Sequence, residues 1–298
     1  MTTDITFTPD VGFHLKNDGR TILLRGIYAG RNLTDEQIIQ YGAIAKMYQR
    51  NIAEEPLGLP ERTEEAEEDE IAVWLSRSTI MDLPPKVDCP VAYKYTKAEF
   101  LEKWLEGTVR LTPPTVYRAI ENPHARDEEE GYGTFYIHDG YDNAAVFDIA
   151  AGFNTAAICL TRHPPTSAYH AEMQQKFGPR VVEIVDVPQL MALLTARTGA
   201  VSYDVRDVHY SDIKAFRYET EMVRDIEGLL DAGGSLANLY DLHGSRLREL
   251  GEAPAIFCKP YCFHPEAERR AILRFASDVD TPIIVSDPRI KDLIKVVA

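Results

Sequence analysis

Hydrophobic and polar positions along the chain recur with two periods, and the switches between them predict the elements. A period of two marks a half-buried strand, and a period near 3.6 marks an amphipathic helix. Residues 5–8 and 21–25 read as short strands, with Asn17-Asp18-Gly19 between them as a turn that tolerates positive φ. Thr34-Asp35-Glu36 joins an N-cap residue to an acidic first turn, and Ile38, Ile39, Ala43, Ile44 and Met47 continue as a helical stripe. Beyond Pro56 and Pro60, residues 61–70 hold seven acidic residues and one arginine. They lack the glycine and alternating Asp/Asn spacing of a calcium loop, so a solvated linker or exposed helix start is expected. A soft boundary near residue 85 divides a hairpin-and-helix segment, 1–85, from a main α+β domain, 86–298.

The pattern becomes regular after that boundary. Residues 91–95 predict a strand, Thr96 caps an amphipathic helix over 97–106, and Gly107 ends it. Residues 108–112 alternate as a strand stopped by Pro113 and Pro114, and a polar loop covers 121–127 with more acid to Glu130. Apolar runs predict strands at 156–161, 181–185 and 200–205. Helices are expected over 188–196, 211–232 and 233–250, with 255–259 a strand or helix end. Residues 269–275 are apolar at alternate positions (Ala271, Leu273, Phe275), and 282–286 and 294–297 close the chain as short strands. Many short strands with few intervening helices predict an α+β fold rather than a parallel doubly wound one.

Composition narrows the function classes. The 298 residues are 45% hydrophobic and 27% charged, an ordinary globular mixture. Acidic residues number 47 against 32 basic ones, a net charge of -15 that repels nucleic-acid phosphates and anionic membranes. The start, Met1-Thr2-Thr3-Asp4, lacks the pattern of a signal peptide, and no apolar run approaches the roughly 20 residues of a membrane span. Four cysteines scattered at 89, 159, 258 and 262 fit a reduced, cytoplasmic chain. No phosphate loop, Gly-x-Gly-x-x-Gly, Gly-x-Ser-x-Gly or His-Glu-x-x-His motif is present, which argues against the folds those motifs serve.

The strongest chemical lead is the stretch from Lys259 to Arg270, which contains Phe263, His264, Glu266 and Glu268. On a strand, Glu266, Glu268 and Arg270 share one face. Two crowded carboxylates repel and raise one pKa, whereas a neighbouring Arg or Lys binds phosphate or lowers them. The bland alternative is a surface strand or helix with ordinary ion pairs. A second copy of the pattern, Phe216-Arg217-Tyr218-Glu219-Thr220-Glu221, reads as a solvated helix face, because Tyr218, Met222 and Ile226 fit a helical stripe. Cys258, Cys262 and His264 do not have a common zinc spacing and read as inert thiols beside a histidine. His163 and His170 form a conceivable acid–base pair, although both sit in a Pro-rich loop.

The spacing Lys-x3-aromatic-x2-Glu-x-Glu-x-Arg, met by Lys259, Phe263, Glu266, Glu268 and Arg270, resembles that of an uncharacterised bacterial domain family. Tyr93-Lys94-Tyr95, the strand around Val109, Glu121-Asn122-Pro123 and Ile158-Cys159-Leu160-Thr161 resemble its upstream signatures over about residues 90 to 298. Two departures stand out: an expected Asp after Asn122 is missing, and Thr161 replaces Ser. That layout is in turn similar to ADP-ribosyltransferases, which implies a split antiparallel sheet flanked by helices and a cleft for NAD. The resemblance implies that Glu268 stabilises the oxocarbenium-like centre and Glu266 orients the acceptor. It assigns Tyr95 to stacking on nicotinamide, Arg110 to the pyrophosphate, Thr161 to a supporting hydroxyl and Arg270 to cofactor binding. The acceptor would be a macromolecule, and the setting that of a toxin, defence or phage-conflict factor. The competing expectation is a non-catalytic acidic protein that mimics nucleic acid or engages a basic partner.

Overall fold

The computed structural model describes residues 13–17, 20–31, 33–54, 63–117, 129–140, 143–232 and 236–298. The strand expected at 5–8, the turn residues Asp18 and Gly19, and the loop over 121–127 lie outside the described residues. The chain opens with β1 (Phe13–Asn17), β2 (Arg20–Arg31), α1 (Asp35–Glu54), α2 (Glu64–Ser76) and β3 (Met81–Asp82). It continues with β4 (Ala92–Thr96), α3 (Ala98–Leu105), β5 (Thr108–Leu111), α4 (Pro114–Tyr117), β6 (Tyr132–His138), β7 (Asn143–Ala150) and β8 (Thr155–Thr161). Next come α5 (His170–Phe177), β9 (Arg180–Ile184), α6 (Val187–Thr198), β10 (Ser202–Asp207), β11 (His209–Tyr210) and β12 (Ala215–Glu219). The chain closes with α7 (Met222–Asp231), α8 (Leu236–Phe257), β13 (Cys258–Lys259), β14 (Glu268–Arg274), β15 (Ile283–Ser286) and β16 (Ile294–Val296).

These elements make an α+β fold around two six-stranded sheets. The first has the order β1-β2-β7-β6-β12-β3, antiparallel as far as β6 and parallel from β6 to β3. The second, β10-β14-β8-β4-β9-β16, is antiparallel throughout. Alternation along β6 and β7 explains the layering of the first sheet. Tyr136, Ala144 and Val146 pack with Ile38 and Tyr41 of α1, whereas Phe135, Ile137 and Phe147 pack with Ile226 of α7 and Leu250 of α8. In the second sheet Leu160, Val182 and Leu273 pack with Leu190, Met191 and Leu194 of α6. Each such fully buried aliphatic side chain contributes roughly 1.5–3 kcal/mol. The opposite face of that sheet, through Ala157 and Ile272, meets Phe216 of β12 and Ile256 and Phe257 of α8.

Local signals explain the element ends. Thr34 and Gln37 bond each other's backbone N–H at the start of α1, a reciprocal cap. Thr63 caps α2 through the Ala66 N–H, so the acidic run is an exposed helix start. Asp186 accepts from Gln189 N at 2.8 Å to begin α6, and Gly199 ends it at φ 71°.

Several expectations need correction. Thr96 belongs to β4, and α3 begins after Lys97 without a side-chain cap. Ile44 on the predicted α1 stripe is exposed. Residues 215–219, expected to be helical, form β12, because Phe216 is completely buried and the strand gains a ladder on each side. Tertiary pairing overrides helical spacing there. The sequence pattern predicts no element over 132–150, yet β6 and β7 lie inside the first sheet, with Phe135 and Phe147 stacked 4.6 Å apart.

Candidate functional site

The two sheets meet where β14 begins. Its residues are buried on both faces, which excludes a solvated surface strand: Ala271 and Leu273 join the core under α6, and Glu268 and Arg270 face the interior on the other side. Glu266 is not on this strand, contrary to the expected shared face. It ends a 3-10 helix, Tyr261–Glu266, and Ala267 then turns the chain with φ 42° and ψ 49°. Among the described residues Ala267 is the one non-glycine with positive φ, a conformation that costs roughly 1–3 kcal/mol and persists only where its surroundings hold it.

Despite that turn, both carboxylates converge on one ammonium. Lys259, on β13, donates to Glu266 Oε2 at 3.0 Å and to Glu268 Oε2 at 3.2 Å. The parallel pairing of β13 with β11 fixes Lys259 beside Tyr210, and the Lys259 Nζ lies 4.3 Å from the centre of the Phe263 ring. Arg270 donates through Nε to Glu268 Oε1 at 2.7 Å and pairs with Glu130 through both terminal nitrogens. Its Nη1 also bonds the Ile256 carbonyl, one of the last carbonyls of α8 left without a helical partner. Glu130, Glu266, Glu268, Lys259 and Arg270 are all at most 5% exposed.

The buried charges constrain one another. Burial opposes ionisation of Glu268, but the Arg270 guanidinium and then the Lys259 ammonium outweigh it, and the carboxyl sits well below the usual range. Burial opposes the charge on Arg270 too, but Glu130 and Glu268 hold it protonated. Glu266 goes the other way: burial raises its pKa, and the attraction of Lys259 offsets this only in part. The Glu266 Oε1 atom is buried and makes no hydrogen bond. Such an orphaned atom costs roughly 1–3 kcal/mol, and a ligand hydroxyl could satisfy it.

A cavity opens onto this cluster with about 670 Å³ of atom-free space, part of it open to solvent. Glu130, Glu266, Glu268, Lys259 and Arg270 line it, together with Tyr93, Lys94, Tyr95 and Thr161. Cys159, opposite Arg270 in the β8–β14 ladder, also reaches it, with a thiol that burial pushes up to about 12. The thiol is therefore protonated and unsuited to nucleophilic attack at neutral pH.

Of the six residues the sequence nominated, five meet here: Glu266, Glu268, Tyr95, Thr161 and Arg270. Arg110 does not. It lies exposed on β5, opposite Ile284 of β15, and the cavity wall excludes it. Arg270 is present but committed to two carboxylates and a carbonyl, which leaves it unsuited to hold a pyrophosphate. Thr161, opposite Glu268, donates to the Glu266 backbone carbonyl at 2.7 Å and so acts on the position of Glu266. Tyr95 meets His170 Nδ1 through its hydroxyl at 2.9 Å.

His163 and His170 do not form an acid–base pair, since His163 engages the Pro265 carbonyl and Ser167. Cys258 is a buried free thiol and Cys262 an exposed one. Among the described residues no three His, Cys, Asp or Glu side chains converge in a way that could hold a metal ion. Glu130 carried no sequence signal beyond its place in an acidic stretch, because its partner lies 140 positions away. Lys259 was visible in the motif, but its role as the bridge between carboxylates depends on β11 and β13. Compared with protein-family models, curated proteins and solved structures, the chain gives no match.

Proposed function

We propose that the cavity is the active site of an NAD-dependent transferase of the ADP-ribosyl type, with NAD hydrolysis as its simplest reaction. One observation carries this reading: Glu266 and Glu268 share the Lys259 ammonium but are driven to opposite protonation tendencies. Two carboxyl groups so divided match the needs of glycosidic bond cleavage. Glu268, held ionised, stabilises the positive charge that grows on the ribose as nicotinamide leaves. Glu266, with its free Oε1, bonds the attacking hydroxyl and takes its proton. Tyr93 and Tyr95 supply aromatic surface to the nicotinamide end. The pyrophosphate role passes from Arg110 to Lys94, which lines the cavity and spends one proton on the Cys159 carbonyl at 2.8 Å. The acceptor in this reading is a macromolecule, with water as the default.

Calorimetry with NAD and a nicotinamide-release assay test it on the wild type and on Glu268→Gln. Saturable binding, with release lowered about 10²–10³-fold in the variant, supports the reading. No binding at millimolar NAD overturns it. A second reading, a non-catalytic binder of a basic partner, is favoured by the exposed Glu64, Glu65, Glu68 and Asp69 of α2. Charge reversal at Glu65 and Glu68 would abolish capture of a basic partner in that case and leave nicotinamide release unchanged in the first.

A further inference from the structure

The strained turn that separates the two carboxylates is held by Thr161, the last residue of β8, and the two residues that follow it. His163 Nε2 lies 3.0 Å from the Pro265 carbonyl, Thr161 Oγ1 donates to the Glu266 carbonyl at 2.7 Å, and Arg162 N donates to the Ala267 carbonyl at 3.1 Å. Three successive carbonyls of one segment thus meet three successive residues of another. The clamp is itself braced, since His163 N donates to Thr161 Oγ1 at 3.1 Å. A carbonyl only accepts, so the His163 ring carries its proton on Nε2, and its bare Nδ1 accepts from the Ser167 hydroxyl at 3.1 Å. Tyr169 stacks on the ring 4.6 Å away. On the far side of the turn Tyr210 accepts from Glu268 N at 2.6 Å, so both ends of the Ala267 peptide are fixed by residues outside its own segment.

Nothing comparable holds the Glu266 side chain: Oε2 meets Lys259 and Oε1 meets nothing. Its place in the cavity is therefore dictated by its backbone. We infer that Thr161 and His163 are positioning residues which, by clamping the Pro265–Ala267 backbone, hold the Glu266 carboxyl inside the cavity as its acid–base group. The inference rests on the proposed role of Glu266, but its test needs no turnover. With the clamp loosened, the αL turn at Ala267 relaxes and Glu266 swings towards water. The charged groups facing Glu266 are Lys259 of β13, Glu268 of β14 and Lys176 of α5, and those facing His163 are Arg162 and Glu172.

The experiment follows the Glu side-chain carboxyl carbons by NMR against pH in the full chain, with Glu266→Gln to assign the resonance. In the wild type, one carboxyl absent from that variant titrates above the ordinary value. In Thr161→Val and His163→Ala it falls towards the ordinary value, while the other carboxyls keep theirs. Thr161→Ser, which retains the hydroxyl, restores it. His163 is only half buried, so His163→Ala decides the matter if Thr161→Val does not fold. A Glu266 titration unmoved within about 0.2 unit in the folded variants overturns the clamp. A moved titration in a protein that never releases nicotinamide overturns the transferase reading alone.

Discussion

Arg270 has two carboxylate partners, and each is replaceable at a different cost. Removing Glu130 leaves a fully buried guanidinium with Glu268 as its one carboxylate, and Lys259 competes for that same group. Breaking one partner of a buried pair costs about 3–5 kcal/mol, so Glu130→Ala should lower unfolding free energy by that amount in urea titrations. Glu266 behaves oppositely. Its folded pKa is raised, so its stabilising contribution is complete below the ordinary value of 4.5 and is lost as pH rises through the folded value. Glu266→Gln should therefore unfold at a higher temperature than wild type above pH 7, and the gain should vanish below about pH 4. Calorimetric scans across that range check both limbs. For Glu268 the sign is reversed: its depressed pKa stabilises the fold above 4.5, and that stability drains away as pH falls towards the folded value. The Glu-x-Glu spacing was legible because both residues stand in one short stretch. The division of labour between them was not, since Lys259, Arg270 and Glu130 decide it through space.

At the scale of elements, α8 and β6 approach until backbone meets backbone. A Cβ built on Gly133 would lie 2.6 Å from Ala255 N and from the Pro254 carbonyl carbon. Pro254 lacks an N–H, and the Ala255 carbonyl accepts from Gly131 N, so the end of the helix is tied to the loop leading into β6. Gly133→Ala should destabilise the protein by about 3 kcal/mol or more, measured by denaturant unfolding, because neither backbone can yield. This contact stands behind the site, since the same stretch of α8 gives its Ile256 carbonyl to Arg270. Strands such as β4, β8, β9 and β14 were legible in their apolar runs, which tertiary pairing left intact. β12 was misread as helix because Tyr218, Met222 and Ile226 keep helical spacing while the chain changes element between the first and the second. β6 and β7 escaped notice because glycines and polar residues interrupt 131–143, and the apolar stretches between them are short.

The first sheet joins strands from before residue 85 to strands from after it. β2 pairs with β7 from Leu23↔Ala150 to Arg31↔Asn143, and Ile38 of α1 packs against Tyr136 and Val146. A chain begun at residue 86 would therefore bare the β7 edge and one apolar face of that sheet, and size-exclusion chromatography should show it aggregated. The net charge of -15 acts at the same scale and favours repulsion between copies of the intact chain. No helix among the described residues is long and apolar enough to cross a membrane.

The sequence by itself determined the α+β class, most strands of the second sheet and the nearness of the two glutamates in one short stretch. Those follow from periodicity, caps and spacing, which act over a few residues. Tertiary structure alone decided that Glu130 joins them across 140 positions, that Arg110 stands apart, and that Glu266 leaves the strand at Ala267 yet returns to Lys259. The reason is that a buried charge is placed by whatever compensates it, and in this protein the compensating groups come from β13, β14 and the turn before β6, which no local pattern connects.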